Sequence, residues 1–178
     1  MDQFDDILAL LKAVPQPPEG IPPGIQLGEI RAFEEELGFA FPPPFRKWLE
    51  ITNGPCVGPG GLCGIRTLRD IQDIAKVFES HPQWKNRRWV PVAGDGCGDF
   101  YLMATTEEFG AGYPVFFVDI HENENVPTYV AASGLWPFLR FFLGRELAST
   151  GWPFRKEFVL ARDPAIIACQ GLPFPWQA

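Results

Sequence analysis

Cysteine and histidine are the residues of this chain best suited to covalent or metal chemistry. The sequence contains four cysteines and two histidines, namely Cys56, Cys63, Cys97, Cys169, His81 and His121. A structural zinc site needs four ligands at suitable spacing, and no C-x-x-C pair occurs here. We therefore predict no metal site and no cofactor. Cys97 and His121 could pair as nucleophile and base, but no recognised nucleophile signature surrounds Cys97.

Carboxylates stand at the ends of two predicted strands. Asp95 and Asp99 belong to the turn sequence GDGCGD, and Asp119 ends a later strand. Converging carboxylate oxygens can hold Ca²⁺ or Mg²⁺, but this turn does not fit the EF-hand pattern. Glycine and aspartate clusters also form tight hairpin turns. No phosphate-binding loop and no dinucleotide-binding glycine motif is present, so the pattern favours turn chemistry.

The net charge of the chain comes from one continuous segment. The formal net charge is −7, yet residues 89–139 contain no lysine or arginine. Their acids are Asp95, Asp99, Glu107, Glu108, Asp119, Glu122 and Glu124. Two interpretations remain open: solvated turns between strands, or an acidic face that binds a basic partner. The second predicts partner-binding roles for Asp95, Asp99, Asp119, Glu122 and Glu124.

Hydrophobic periodicity predicts the elements that position these residues. Helical spacing indicates an N-terminal helix followed by a proline-rich connector, and then helices over 25–38, 45–52, 68–84 and 133–148. The period changes to two from Trp89 onwards, which predicts strands over 89–93, 100–104, 113–120 and 128–131. A short strand is also predicted over 62–65. The segment FRKEFVLA predicts a helix in the C-terminal tail.

This order of elements predicts an α+β fold in a single domain, with an antiparallel-rich central sheet and helices packed around it. We divide the chain into three parts. Residues 1–24 form the N-terminal helix and connector. Residues 25–150 form the α+β domain, and residues 151–178 form a C-terminal extension packed on it.

Composition excludes several classes of protein. The chain has 178 residues, 46% of them hydrophobic and 21% charged, which is typical of a globular protein. No apolar run is long enough to span a bilayer, and the acidic N-terminus does not resemble a secretory signal. We therefore expect a cytoplasmic protein with reduced cysteines and no membrane partner. The acidic balance argues against nucleic-acid binding, although Trp84 and Trp89 flank a basic run that could stack on bases.

Several motifs in a fixed order give the sequence a family resemblance. The segment IRAFEEELGFAFPPPFRKWLEITNGP is similar to the opening signature of the SUKH superfamily, with Phe33-Glu34, Leu37-Gly38 and Asn53-Gly54 at the matching positions. Further along, WVPVAGDGCGDFYLM, YPVFFVDIHEN and SGLWPFLRFFL resemble its Gly-Asp turn, its following strand and its closing helix. The resemblance covers roughly residues 25 to 143. The proline connector, the triple proline and the tail beyond Gly151 depart from the pattern.

The resemblance implies an α+β fold and a function in protein binding. Bacterial members are mostly immunity proteins that neutralise toxins, often nucleases, of polymorphic or contact-dependent systems. Fungal members of the Smi/Knr type regulate cell-wall synthesis and signalling, and members are not generally enzymes. We therefore expect a non-enzymatic antitoxin with a basic protein toxin as its partner. The alternatives are a regulatory adapter and an enzyme that uses Cys97 or the aspartate pair.

Overall fold

Eight α-helices and four β-strands make up the part of the chain that a computed structural model describes, namely residues 3–58, 60–110, 112–147 and 155–177. The helices are α1 Gln3–Ala13, α2 Leu27–Leu37, α3 Pro43–Ile51, α4 Ile74–Ser80, α5 Pro82–Arg87, α6 Ile120–Asn123, α7 Leu135–Leu147 and α8 Lys156–Arg162. The strands are β1 Trp89–Gly94, β2 Phe100–Ala104, β3 Val115–Val118 and β4 Tyr129–Ala132. Residues 1–2, 148 and 151–154, which belong to predicted segments, lie outside the described residues.

The four strands form one antiparallel sheet in the order β1-β2-β3-β4. Helices cover both of its faces. On one face Tyr101 packs against Phe138 of α7, with ring centroids 5.1 Å apart. On the other, Phe100 packs against Trp84 of α5 at 5.5 Å. Because both faces are covered, every residue of β1 and β2 is buried. The predicted α+β single domain with an antiparallel sheet is confirmed.

The N-terminal segment is part of the core. Ile7 and Leu11 of α1 and Val14 after it are buried. The guanidinium of Arg140 on α7 donates to the carboxylate of Asp6 at 2.5 Å. Helix α1 is therefore held against α7 by apolar contacts and by this ion pair.

Local sequence signals account for the bounds of α2 and α3. Helix α2 begins with a capping box in which the amide of Gln26 donates to Glu29 at 3.1 Å. It ends at Gly38, whose φ of 83° favours glycine. Helix α3 has proline in its first turn, where a missing amide proton is tolerated. The predicted helix over 25–38 is therefore found at Leu27–Leu37.

The predicted helix over 68–84 is wrong. The segment instead contains a 3₁₀ turn at Asp70–Gln72, then α4 and α5. Asp73 caps α4 by accepting from the amides of Ala75 and Lys76, and Pro82 starts α5 after a break at His81. Ile71, whose apolar side chain falls at helical spacing with Ile74 and Phe78, is 57% exposed. Capping and proline override the hydrophobic period here.

The predicted strand over 62–65 is also wrong, because the structure has only two isolated bridges there. Leu62 pairs with Ala93, and Gly64 pairs with Asp73. The side-chain amide of Gln72 donates to the backbone carbonyl of Leu62 at 2.9 Å. Residues in this loop are thus held by a buried side-chain amide instead of a continuous ladder.

Candidate functional site

Sheet topology collects the predicted acidic residues at one end of the sheet. Phe100 at the start of β2 pairs with Val118 at the end of β3, so the turn before β2 and the segment after β3 are neighbours. We call the turn 95–99 and the segment 119–124 together the acidic end. It contains all five predicted partner-binding residues: Asp95, Asp99, Asp119, Glu122 and Glu124. The other two acids of the segment, Glu107 and Glu108, precede β3 at the opposite end.

Three of these carboxylates accept hydrogen bonds from backbone amides. Asp95 accepts from the amides of Cys97 at 2.7 Å and Asp99 at 3.0 Å, which closes the β1–β2 turn. Asp119 caps α6 by accepting from the amides of His121 and Glu122. The hairpin that the sequence predicts is present, and these acids stabilise it and the adjoining helix.

Asp99 joins the two loops of the acidic end. Its Oδ1 accepts from the amide of Ile120 at 2.9 Å, and the residue is only 8% exposed. Burial raises the pKa of the Asp99 carboxyl above its usual value; the Ile120 hydrogen bond opposes this rise, and repulsion from Asp119 and Asp95 adds to it. No lysine, arginine or histidine among the described residues forms an ion pair with it.

Glu124 and Glu122 have different environments. One carboxylate oxygen of Glu124 lies 2.8 Å from Nδ1 of His81, and its backbone carbonyl accepts from the indole of Trp84 at 2.7 Å. The His81 ring stacks on Trp84 at 4.1 Å. Glu122 is exposed, and its side chain has no hydrogen-bond or ionic partner in the described part of the chain. It is therefore the predicted residue whose carboxylate is most available to another protein.

A cleft of about 430 Å³ opens beside the acidic end. Glycines 60, 94, 96 and 98 form part of its wall, together with Asp99 and Phe100 from the hairpin. The other wall comes from the 3₁₀ turn and α4. Its residues are Asp70, Ile71, Lys76, Val77, Glu79, Ser80 and His81. The cleft thus combines acidic, apolar and aromatic groups within the size range of ligand pockets, about 300–1,000 Å³.

Sequence reasoning missed the wall of this cleft that lies outside residues 89–139. Asp70 and Glu79 are exposed acids, and Ile71 and the fully exposed Leu68 lie on the same loop or next to it. Asp70 and Glu79 lie outside residues 89–139, in the part of the chain whose acidic and basic residues balance in number. The sequence signal for this loop is Asp73, a strong N-cap residue, which indicates that a helix begins after it and that residues 68–72 precede the helix.

The structure does not bring Cys97 and His121 into hydrogen-bond contact, and it does not expose Trp84 and Trp89 for stacking on bases. Cys97 is exposed, and no hydrogen bond joins its thiol to His121 among the residues described. Cys63 is fully buried, which raises the pKa of its thiol. Trp84 and Trp89 are both 0% exposed, so neither can stack on a nucleic-acid base. The structure shows no group of three or more potential metal ligands within the described ranges.

Comparison with known proteins places most of the chain in one family. Residues 24–140 match the model of the SMI1 / KNR4 family (SUKH-1). That match covers the sheet, the acidic end and the cleft. No curated protein sequence matches the chain.

Proposed function

This chain belongs to the SMI1/KNR4 family (SUKH-1), and on that premise we propose that it is an immunity protein that neutralises a basic protein toxin. The toxin binds at the acidic end and over the adjoining cleft. The protein acts by occupying a surface of the toxin and not by catalysis. We place this action in the cytoplasm, with a protein as the partner and not a nucleic acid. None of the described helices is long and apolar enough to cross a membrane.

The arrangement of charge is the observation that carries this proposal. Five carboxylates gather at one end of the sheet, and residues 89–139 that form most of it contain no lysine or arginine. Two histidines stand at the acidic end: His121, which belongs to it, and His81, which contacts Glu124. Such a surface attracts a basic protein and repels acidic ones.

A nuclease toxin fits this surface for a chemical reason. Nucleases hold a polyanion in a groove of positive potential. An acidic face that enters the groove would compete with the substrate for the same lysines and arginines. Inhibition would then follow from occupancy alone, without covalent change in either protein. The exposed apolar residue in the cleft wall, Ile71, would add contact area that salt does not weaken.

Affinity capture at two salt concentrations tests this function. Tagged protein is incubated with native lysate at about 0.1 M and about 1 M salt, where the Debye length falls from about 10 Å to about 3 Å. We expect one basic protein to be recovered at low salt and lost at high salt. Co-expression of that protein with this chain should relieve its toxicity. Recovery of nothing, or of housekeeping proteins at both salt concentrations, would contradict immunity and favour a regulatory adapter in cell-wall synthesis or signalling.

Two matched variants link the captured protein to the acidic end. The test variant neutralises four acids there: Asp95→Asn, Asp99→Asn, Glu122→Gln and Glu124→Gln. The amides at positions 95 and 99 keep an accepting oxygen, so the turn hydrogen bonds can persist, and Asp119, which caps α6, is unchanged. The control neutralises four exposed acids elsewhere: Asp5→Asn, Glu35→Gln, Glu50→Gln and Glu157→Gln. We expect the control to capture the toxin and the test variant to lose it. Equal capture by both would show that the acidic end is not the binding surface.

A further inference from the structure

One carboxylate oxygen inside the cleft lacks a donor. Asp99 lines the cleft and is 8% exposed. Its Oδ1 accepts from the amide of Ile120. Its Oδ2 has no hydrogen-bond donor among the residues that the structure describes; His121 lies near enough to interact with the carboxylate through its charge but donates no hydrogen bond to it. The carboxylate is largely buried and accepts one amide, while its second oxygen faces the cleft and can accept from a cationic donor outside the chain.

The rest of the cleft supplies a second acid and an apolar wall. Asp70 lies on the opposite wall and is exposed, and its carboxylate has no ion pair within the described part of the chain. Lys76 also lines the cleft, but it is paired with Glu79 at 2.8 Å, so these two charges compensate each other. Ile71 is 57% exposed at the same wall. The uncompensated charge of the cleft is therefore negative, next to apolar surface.

We propose that this cleft receives an arginine side chain of the protein partner. The guanidinium would donate to Asp99 and Asp70, and its methylene groups would lie along Ile71 and Phe100. A planar guanidinium with five donors can serve two carboxylates at once and stack on an aromatic ring, whereas an ammonium is a compact, strongly hydrated charge. This inference rests on the proposed function, because it names the group by which the basic toxin is anchored.

Small-molecule probes test the cleft without the toxin. The full chain is titrated with N-acetyl-arginine amide, N-acetyl-lysine amide and the neutral isostere N-acetyl-citrulline amide, and backbone amide shifts are recorded by NMR. We expect saturable shifts at Gly94, Gly96 and Gly98 with the arginine probe. The lysine probe should bind at least threefold more weakly, and the citrulline probe should cause no saturable shift. Equal binding of the arginine and citrulline probes, or shifts located elsewhere, would overturn the proposal.

Conservative variants identify the carboxylates involved. Asp99→Asn keeps an oxygen for the Ile120 amide and removes the charge, and Asp70→Asn changes an exposed residue. We expect each to weaken binding of the arginine probe at least threefold, and the double variant to abolish it. Glu35→Gln on α2 is the control, because it also removes one negative charge. We expect this variant to bind the arginine probe as tightly as the unmodified chain does. Unchanged binding by the double variant, with a spectrum that shows an intact fold, would refute the assignment.

The two proposals fail in different ways. If the toxin is captured but the Asp70→Asn, Asp99→Asn double variant captures it with unchanged affinity, the immunity function stands and the arginine anchor is wrong. If the arginine probe binds the cleft but lysate yields no basic toxin, the anchor stands and the immunity function is wrong.

Discussion

The ion pair between Glu34 and Arg46 allows a quantitative test of how α2 and α3 are held together. Glu34 is 7% exposed, and its carboxylate accepts from Nε of Arg46 at 2.7 Å and from Nη2 at 2.8 Å. It also accepts from the backbone amide of Phe41 at 2.5 Å. One carboxylate thus joins α2, the loop that follows it and the first turns of α3. The perturbations we choose are Glu34→Ala and Arg46→Ala, each alone and both together.

The expected loss of stability follows from these three bonds. A hydrogen bond to a charged group contributes about 1.5–3 kcal/mol, and a buried amide left without an acceptor costs about 1–3 kcal/mol. Arg46 is 30% exposed, so water can replace part of what it loses. We therefore expect Glu34→Ala to lower the free energy of unfolding by about 3 kcal/mol. The coupling energy between Glu34 and Arg46 should be about 1.5–2 kcal/mol.

Urea denaturation followed by tryptophan fluorescence measures these quantities. Trp48 on α3 is buried and reports directly on this region. The four proteins of the double-mutant cycle should have similar m-values, since the surface exposed on unfolding hardly changes. A coupling energy below about 0.5 kcal/mol would refute the reasoning. It would mean that the two charges do not stabilise each other in solution.

Three further outcomes are expected. Asp163→Ala removes the acceptor for both the amide and the hydroxyl of Ser133, at 2.7 Å and 2.5 Å, and should lower the free energy of unfolding by about 1–3 kcal/mol in urea; an unchanged midpoint would contradict this. Asp99→Asn should raise stability at pH 7, because the pKa of Asp99 is raised in the folded chain and the unmodified protein loses stability as pH rises from the unfolded pKa through the folded one. In urea titrations across pH, the difference in free energy of unfolding between Asp99→Asn and the unmodified protein should vanish below about pH 4. A difference that stays constant with pH would show that it does not come from ionisation of Asp99. Gly24→Ala places a Cβ against the backbone carbonyl oxygen of Glu50 on α3 and should lower the thermal midpoint. Gly28→Ala on α2, whose Cβ meets no atom within 4 Å, should raise stability by up to about 1 kcal/mol. Equal effects of the two glycine changes would disprove the steric argument.

Features that depend on neighbouring residues were predictable from the sequence. The end of α2 at Gly38 and the hairpin over 95–99 are examples. In both cases the backbone conformation is determined by a glycine or an aspartate within the segment itself. The helix predicted over 68–84 failed for a related reason. Its hydrophobic spacing was compatible with a helix, but the cap at Asp73 and the proline at position 82 divided it.

The order of the four strands, the family motifs and the absence of lysine and arginine from residues 89–139 were readable from the sequence, because each is a property of consecutive residues. The roles of the acids depend instead on the folded chain. Asp99 is buried against Ile120, and Glu124 meets His81, 43 residues away. The cleft likewise forms between the hairpin and α4, which are brought together by packing across the sheet. Burial and long-range pairing depend on which distant surfaces exclude water from each other, and that information becomes available only when the chain is folded.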